Sequence, residues 1–298
     1  MHVLRNPAGG GSRSRRRATK LVGELAARGH DVVDLTGTTA NESSENLGRA
    51  VEAGEVDRIV LAGGDGLVHL AIQHLATTTI AVTLAPLGTG NDFANALGIT
   101  GKGELVIDTT ASPVDLIEVV SNGAHVRWVA SIAIAGFPAA INRRANDLSP
   151  RLGAQVYTVA AALELPRFQR QQLSLRLDGV AIETDTAMLA IGNTKLFGGG
   201  MLACPDALPN DGLVHLTSIQ GVGRIGILRH LVGRTGGTAD RPEVLRRTAK
   251  RIDLDTPYID IWADGEPVSV SPQSFHVRSS ALHVTSITMQ AQVSPGYS

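Results

Sequence analysis

One cysteine, Cys204, stands in 298 residues. It can close no disulfide within the chain and cannot anchor a cysteine-based zinc site, so a disulfide scaffold and a zinc ribbon are excluded. Aromatic residues make up only 3%, too few for a protein that stacks single-stranded nucleic acid on rings. Net charge is nearly absent: 27 lysines and arginines face 28 aspartates and glutamates. No overall field draws nucleic acid, and no nucleic-acid partner is expected. Apolar runs fall short of the roughly 18 residues of a membrane span. The longest candidate, Gln155 to Leu165, contains Glu164 and runs into Pro166. Met1–Pro7 lacks the charged start and apolar core of an export signal, so a reduced, cytoplasmic protein is expected.

What is present is enough for a folded enzyme. A hydrophobic fraction of 43% supplies a core, and the length favours two domains. The first part alternates short apolar runs with amphipathic helical stretches. Strands are expected at His2–Arg5, Asp31–Leu35, Arg58–Ala62 and Ile80–Leu84, and helices at about Arg15–Arg28, Ser43–Ala53 and Val68–Ala76. In the first helix Leu21, Val22, Leu25 and Ala26 form the apolar face. Such alternation with continuous apolar strands predicts a parallel sheet covered on both faces. Glycine-rich turns end three of the strands, which places a ligand crevice at the carboxyl edge of the sheet.

After Val114 the pattern turns to short strands: Leu116–Val120, His125–Ala135, Leu173–Leu177, Thr186–Asn193, Leu213–Ser218, Arg251–Thr256, Tyr258–Ala263, Ser274–Val277 and Leu282–Thr285. Helices are expected at Leu152–Arg167 and Gly223–Val232, and a mobile loop at Gly233–Glu243. The reading is an α/β domain followed by a mostly β sandwich or barrel, with a cleft between them.

Gly63-Gly64-Asp65-Gly66 follows an apolar strand and opens a helix. Glycines there let backbone amides approach a phosphate, and the helix start adds a favourable field. The same residues suit an ordinary tight turn. Asp65 is informative, because a carboxylate beside phosphates needs a cation or a hydroxyl between them. Gly88-Thr89-Gly90-Asn91-Asp92 repeats the arrangement one strand later. Neither loop is a Walker A sequence, and neither fits Gly-x-Gly-x-x-Gly. The basic run Arg13, Arg15, Arg16 and Arg17 suits a solvated helix face or charge compensation beside a phosphate.

Together Asn6-Pro-Ala-Gly9, Gly63-Gly-Asp-Gly66 and Pro86-Leu-Gly-Thr-Gly-Asn-Asp-Phe-Ala94 resemble the three signatures of the diacylglycerol kinase catalytic-domain family. That family includes the bacterial soluble diacylglycerol kinases, sphingosine kinases and ceramide kinases. Ile191-Gly-Asn193, Gly198-Gly-Gly200, Pro205-Asp-Ala207, Asn210-Asp-Gly-Leu213 and Asp264-Gly-Glu266 follow the family order, so the resemblance covers nearly the whole chain. One departure stands in the glycine loop. The usual Thr-x-Asn-Glu reads Leu67-Val68-His69-Leu70, with Leu67 and His69 similar to the sphingosine kinase version and a leucine where the glutamate would be.

The resemblance implies a Rossmann-like, three-layer α/β domain at 1–114, a C-terminal β-sandwich domain at 115–285, and a return of 286–298 to the first domain. It implies an ATP- and Mg²⁺-dependent kinase acting on the hydroxyl of a diacylglycerol-like or sphingoid-type lipid. Nucleotide contacts would come from Asn6, Thr36, Gly63, Gly64, Asp65, Gly66, Leu67, Val68, His69, Thr89, Gly90 and Asn91. Mg²⁺ would sit on Asp211 and the carbonyls of Leu208 and Leu213, although Asn-Asp-Gly also suits turn chemistry. The base would be Asp264 or Glu266, ranked above Asp65; Asp-Gly is equally a hairpin turn. Asp115 and Asp92 read as caps or salt-bridge partners. A lipid acceptor implies transient contact with the inner membrane surface, with the helix around Tyr157–Phe168 and Arg143, Arg144, Arg167 and Arg170 as docking features. Exposed strands in the β domain leave edge-to-edge homodimers open. Two competing readings are an NAD kinase-like enzyme with a soluble acceptor, and a non-catalytic nucleotide- or lipid-binding relative.

Overall fold

Strands that all run the same way must be joined by crossovers, and the first part of the chain supplies helices for them. The structure, a computed structural model, describes residues 1–6, 12–100, 104–107, 110–149, 152, 155–198, 200–232, 241–256, 259–268 and 273–290. In order come β1 (His2–Arg5), α1 (Ser12–Ala27), β2 (Val33–Asp34), α2 (Ala40–Glu52), β3 (Arg58–Gly63), α3 (Asp65–Leu75), β4 (Ala81–Pro86), α4 (Asp92–Ala96) and β5 (Glu104–Ile107). β1 lies parallel to β2 and to β3, and β3 parallel to β4. α1 buries Ala18, Leu21 and Leu25 against Val3, Val60 and Ala62; each fully buried leucine contributes about 1.5–3 kcal/mol. The expected Ala26 is exposed instead, and Ala18 completes the i, i+3, i+7 stripe. Thr39 caps α2 by accepting from the Glu42 amide at 3.1 Å.

The rest of the chain builds β6 (Ser112–Ser121), β7 (Ala124–Val129), β8 (Ile132–Gly136), α5 (Phe137–Asp147), α6 (Val156–Glu164) with a 3-10 turn at Leu165–Arg167, β9 (Gln171–Leu177), β10 (Val180–Gly192), β11 (Leu196–Phe197), β12 (Met201–Leu202) and β13 (Val214–Gln220). α7 (Arg224–Val232), β14 (Val244–Ala249), β15 (Arg251–Leu254), β16 (Ile261–Ala263), β17 (Glu266–Val268) and β18 (Gln273–Gln290) follow. Successive residues of β8, β10 and β16 alternate between two apolar layers. Ala133, Ala135, Leu189, Ile191, Ile261 and Ala263 enter the layer shared with β9 and β15. Ile132, Ile134, Met188, Ala190 and Trp262 enter the layer that α5, α6 and α7 cover. Both faces are buried, so these strands read as unbroken apolar runs.

The chain divides into Met1–Val114 with everything from Ser279 onward, and Asp115–Arg278. β18 serves both. Its first residues pair with β15, and His283–Ser286 run parallel to β4. The return to the first unit therefore falls at Ser279 rather than Ser286, because the expected pair of strands is one continuous strand. Helix α5 and strands β5 and β14 were not expected, His125–Ala135 is two strands, and the helix after Leu152 starts at Val156. Most of the expected loop at Gly233–Glu243 lies outside the described residues, as do Pro7–Gly11 of the first glycine turn and the side chain of Arg13.

Cys204 is fully buried in the helix-covered layer, and burial pushes its thiol up to about 12. A thiol held neutral and out of solvent is no nucleophile. A disulfide reagent such as Ellman's should therefore titrate no thiol in the folded protein and one in denaturant.

Candidate functional site

In the first unit the residues expected to bind nucleotide collect at one edge. Parallel pairing sets Arg5 opposite Ala62 and Gly63 opposite Pro86, so the segments leaving β1, β3 and β4 emerge side by side at the carboxyl ends. Asn6 follows β1, and the Arg5 amide donates to Thr36 Oγ1 at 2.9 Å, which brings Thr36 to the same edge. Arg5 is itself paired with Asp34 through its guanidinium.

The two glycine loops touch. A Cβ on Gly88 would lie 2.5 Å from Gly64 Cα and 2.8 Å from Asn91 Oδ1, so only a hydrogen fits there. Asn91, at φ 55°, closes its own loop. Its Oδ1 accepts from the Gly88 amide and its Nδ2 donates to the Gly88 carbonyl, both at 2.9 Å. The Leu87 amide donates to Gly63 O at 2.8 Å, and Asp65 Oδ1 accepts from the Phe93 amide at 3.1 Å. Ser14 Oγ, in the first turn of α1, donates to Leu87 O at 2.8 Å.

The start of α3 is open to solvent at Gly66. Leu67 and Val68 amides are turned back to Gly64 O, whereas the first-turn amides of Asp65 and Gly66 have no acceptor within the helix. A Cβ on Gly66 would meet nothing within 4 Å. Thr89 is exposed on the neighbouring loop. The side chains of Leu67, Val68 and His69 face the interior, at 4%, 7% and 7% exposure. With their side chains in the interior, these three residues would reach a ligand through the main chain only. Arg15 and Arg16 are exposed on α1.

In the second unit the expected catalytic segment is a two-residue hairpin turn. Asp264 (φ 49°) and Gly265 (φ 91°) join β16 to β17, with Ala263 paired to Glu266; positive φ at both centres is the type I′ geometry. The Asp264 carboxylate is occupied. Oδ2 accepts from the Ala130 amide at 2.7 Å, and Oδ1 from Ser131 and Ile132 at 2.9 and 3.2 Å. A second turn of the same kind, Asp178-Gly179 between β9 and β10, does likewise: Asp178 accepts from the amides of Lys250 and Arg251. Glu266 is exposed, with no side-chain hydrogen bond or ion pair among the described residues.

Asp211 Oδ1 accepts from the Leu213 amide at 3.0 Å, and Oδ2 accepts from His215 Nε2 at 2.8 Å. Among the described residues no three His, Cys, Asp or Glu side chains cluster as metal ligands. The loop fits only a largely hydrated Mg²⁺, held by one carboxylate and main-chain carbonyls, which is a habit of that ion. Residues not singled out as site residues join these two segments. Asn193 Nδ2 donates to Ala130 O at 3.0 Å and to Asp115 O at 2.7 Å, and Asp115 Oδ2 accepts from the Gly212 amide at 2.7 Å. Asn193 is wholly buried, and its Oδ1 has no partner among the described residues. Its place in Ile-Gly-Asn was the only sequence signal for this role; Asp115, expected as a cap or salt-bridge partner, here accepts the amide of a loop rather than of a helix.

The sequence profile of the diacylglycerol kinase catalytic domain matches residues 1–119, and that of the YegS C-terminal NAD kinase beta sandwich-like domain matches 131–286. A Mycobacterium tuberculosis protein named diacylglycerol kinase is 33% identical over 289 residues, covering 95% of this chain and 93% of its own. The chain belongs to the diacylglycerol kinase family. A Pseudomonas putida protein named "Probable lipid kinase YegS-like" is 30% identical, covering 88% of each chain. The crystal structure of a diacylglycerol kinase from Bacillus anthracis superimposes with a TM-score of 0.67 at 19% identity over 96% of this chain and 95% of that one. This shared fold is an α/β domain with a β-sandwich-like domain, as expected.

Gly88→Ala should destabilise the protein by about 1–3 kcal/mol through forced overpacking, read as a lower urea midpoint. Asp264→Ala leaves three amides without their acceptor, a cost of about 1–3 kcal/mol. Asp264→Asn, which keeps one oxygen, should lose less. Equal midpoints for wild type and Asp264→Ala would refute that role for the carboxylate.

Proposed function

We propose that the protein is an ATP-dependent lipid kinase that transfers the γ-phosphoryl group to the hydroxyl of a diacylglycerol-like or sphingoid-type lipid. The observation that carries the reading is the pair of touching glycine loops, within the segment that matches the family's catalytic domain. The name of the mycobacterial relative puts diacylglycerol first among acceptors.

ATP supplies the phosphoryl group, with ADP as leaving group. Phosphoryl transfer needs little covalent work from a protein beyond positioning, charge neutralisation and a proton acceptor. The Asp65 and Gly66 amides at the start of α3 donate to phosphate oxygens, and the Thr89 hydroxyl adds a donor. Asn6 and Thr36 lie at the same edge to take the remainder of the nucleotide. Asp211, with the carbonyls of Leu208 and Leu213, would hold Mg²⁺ and order the loop before β13. Glu266 takes the proton as the acceptor oxygen bonds to phosphorus and the bond to the ADP oxygen breaks. The exposed, unengaged carboxylate of Glu266 suits that step better than Asp264, whose oxygens already serve three amides.

The test is incubation with γ-labelled ATP, Mg²⁺ and micelles of diacylglycerol, sphingosine, ceramide or monoacylglycerol, with NAD in a separate arm. Label is expected in one lipid. Glu266→Gln should lose about 10²–10⁴-fold in kcat with an unchanged melting temperature. Label in NAD alone, or none while ATP still binds, would overturn the lipid-kinase reading. Full activity in Glu266→Gln would overturn the choice of base.

A further inference from the structure

Of the four arginines expected to face a membrane, three are neutralised within the second unit. Arg143 pairs with Asp260, Arg144 with the buried Glu164, and Arg170 with Asp185. Phe168 is also withdrawn, packed edge-on against Phe137 at 5.4 Å. Arg167 differs: its Nη1 donates to the Leu163 carbonyl at 3.0 Å, and it has no acidic partner among the described residues. Arg224, the first residue of α7, matches it, donating to the Pro166 carbonyl at 2.7 Å. That bond brings the start of α7 within one arginine's reach of the turn that ends α6.

Large apolar side chains are exposed at the same place. Six are exposed among the described residues, and three of them, Tyr157, Leu163 and Ile225, belong to α6 and α7. Ile225 is 71% exposed beside Arg224, Leu163 is 44% exposed beside the Arg167 contact, and Pro166 between them is exposed. Residues 156–170 and 221–230 contain one acid, the buried Glu164, against four arginines.

The geometry points to this surface, formed by Leu163, Pro166 and Ile225 between Arg167 and Arg224, as the face that docks on an anionic lipid bilayer. Guanidiniums whose only contacts are carbonyls keep their charge for lipid phosphates, while the aliphatic side chains enter the headgroup boundary. A second copy of the chain is a poorer occupant. A two-fold contact through this patch would set its arginines against their own kind. For its occupant the inference rests on the lipid-kinase reading; its test does not use turnover.

The full chain is sedimented, without ATP, with vesicles of phosphatidylcholine alone or of equal parts phosphatidylcholine and phosphatidylglycerol. Binding is expected to the anionic vesicles and to weaken with salt. Arg167→Gln and Arg224→Gln should each lower the partition coefficient about fivefold. Leu163→Asp and Ile225→Asp should each lower it further, at unchanged melting temperature, with Arg143→Gln close to wild type. Equal partition of all variants, or no binding by wild type, would overturn the proposal. So would a dimer in light scattering that Ile225→Asp dissolves, which would make the patch a self-association face. Vesicle binding without phosphorylation of any lipid would sink the kinase reading and leave the surface standing. Phosphorylation of dispersed short-chain lipid without vesicle binding would do the reverse.

Discussion

Everything at the carboxyl edge of the first unit's sheet depends on how closely β3 and β4 run. Parallel neighbours lie about 4.8 Å apart, and with Gly63 paired to Pro86 the two loops leave the sheet almost in contact. Gly64 and Gly88 meet where no Cβ fits. Given that approach, Asn91 folds back on Gly88, Asp65 takes the Phe93 amide, and α3 starts with open space beside Gly66. Gly66 needs no such approach and leaves the space clear. Two glycines make the packing and a third keeps the room.

The second unit is held on a different principle, carboxylates of hairpin turns that accept the amides of a distant connection. Asp178 and Asp264 share φ, a following glycine, and this contact. The amides bound by Asp264 lead on through Ala130 to Asn193, Asp115 and Gly212. The turn carrying Glu266 and the loop carrying Asp211 are therefore parts of one hydrogen-bonded frame. Such a network is worth more as a fixed geometry than as a sum of bonds, because each buried donor left unmade costs the full desolvation.

Local pattern made much of this legible. Strand–helix alternation announced the parallel sheet, and the glycine loops marked the edge at which they meet. Helix α5 escaped because Asn142, Arg143 and Arg144 stand between its buried Ile141 and Ala145, a stretch that reads as polar. β14 escaped because Arg246 and Arg247 interrupt its alternation. β18 read as two strands because Arg278, Ser279 and Ser280 fall at its middle, where Ser280 takes φ 55°. In each case long-range packing overrode a local signal.

Side-chain roles were less legible than the motifs that contain them. Asp264 and Glu266 stand two residues apart, yet amides more than 130 residues distant decide that one serves the backbone and the other faces solvent. Alternation along a hairpin explains little here, since the turn residue and the strand residue obey different geometry. What separates them is lone pairs: a carboxylate that already accepts three amides has little left to offer a hydroxyl proton. The same accounting sorts the arginines of α5 to α7, where an acidic partner within reach turns a basic patch into a structural tie. A motif narrows the chemistry to a few residues, and the partners each one has already satisfied decide among them.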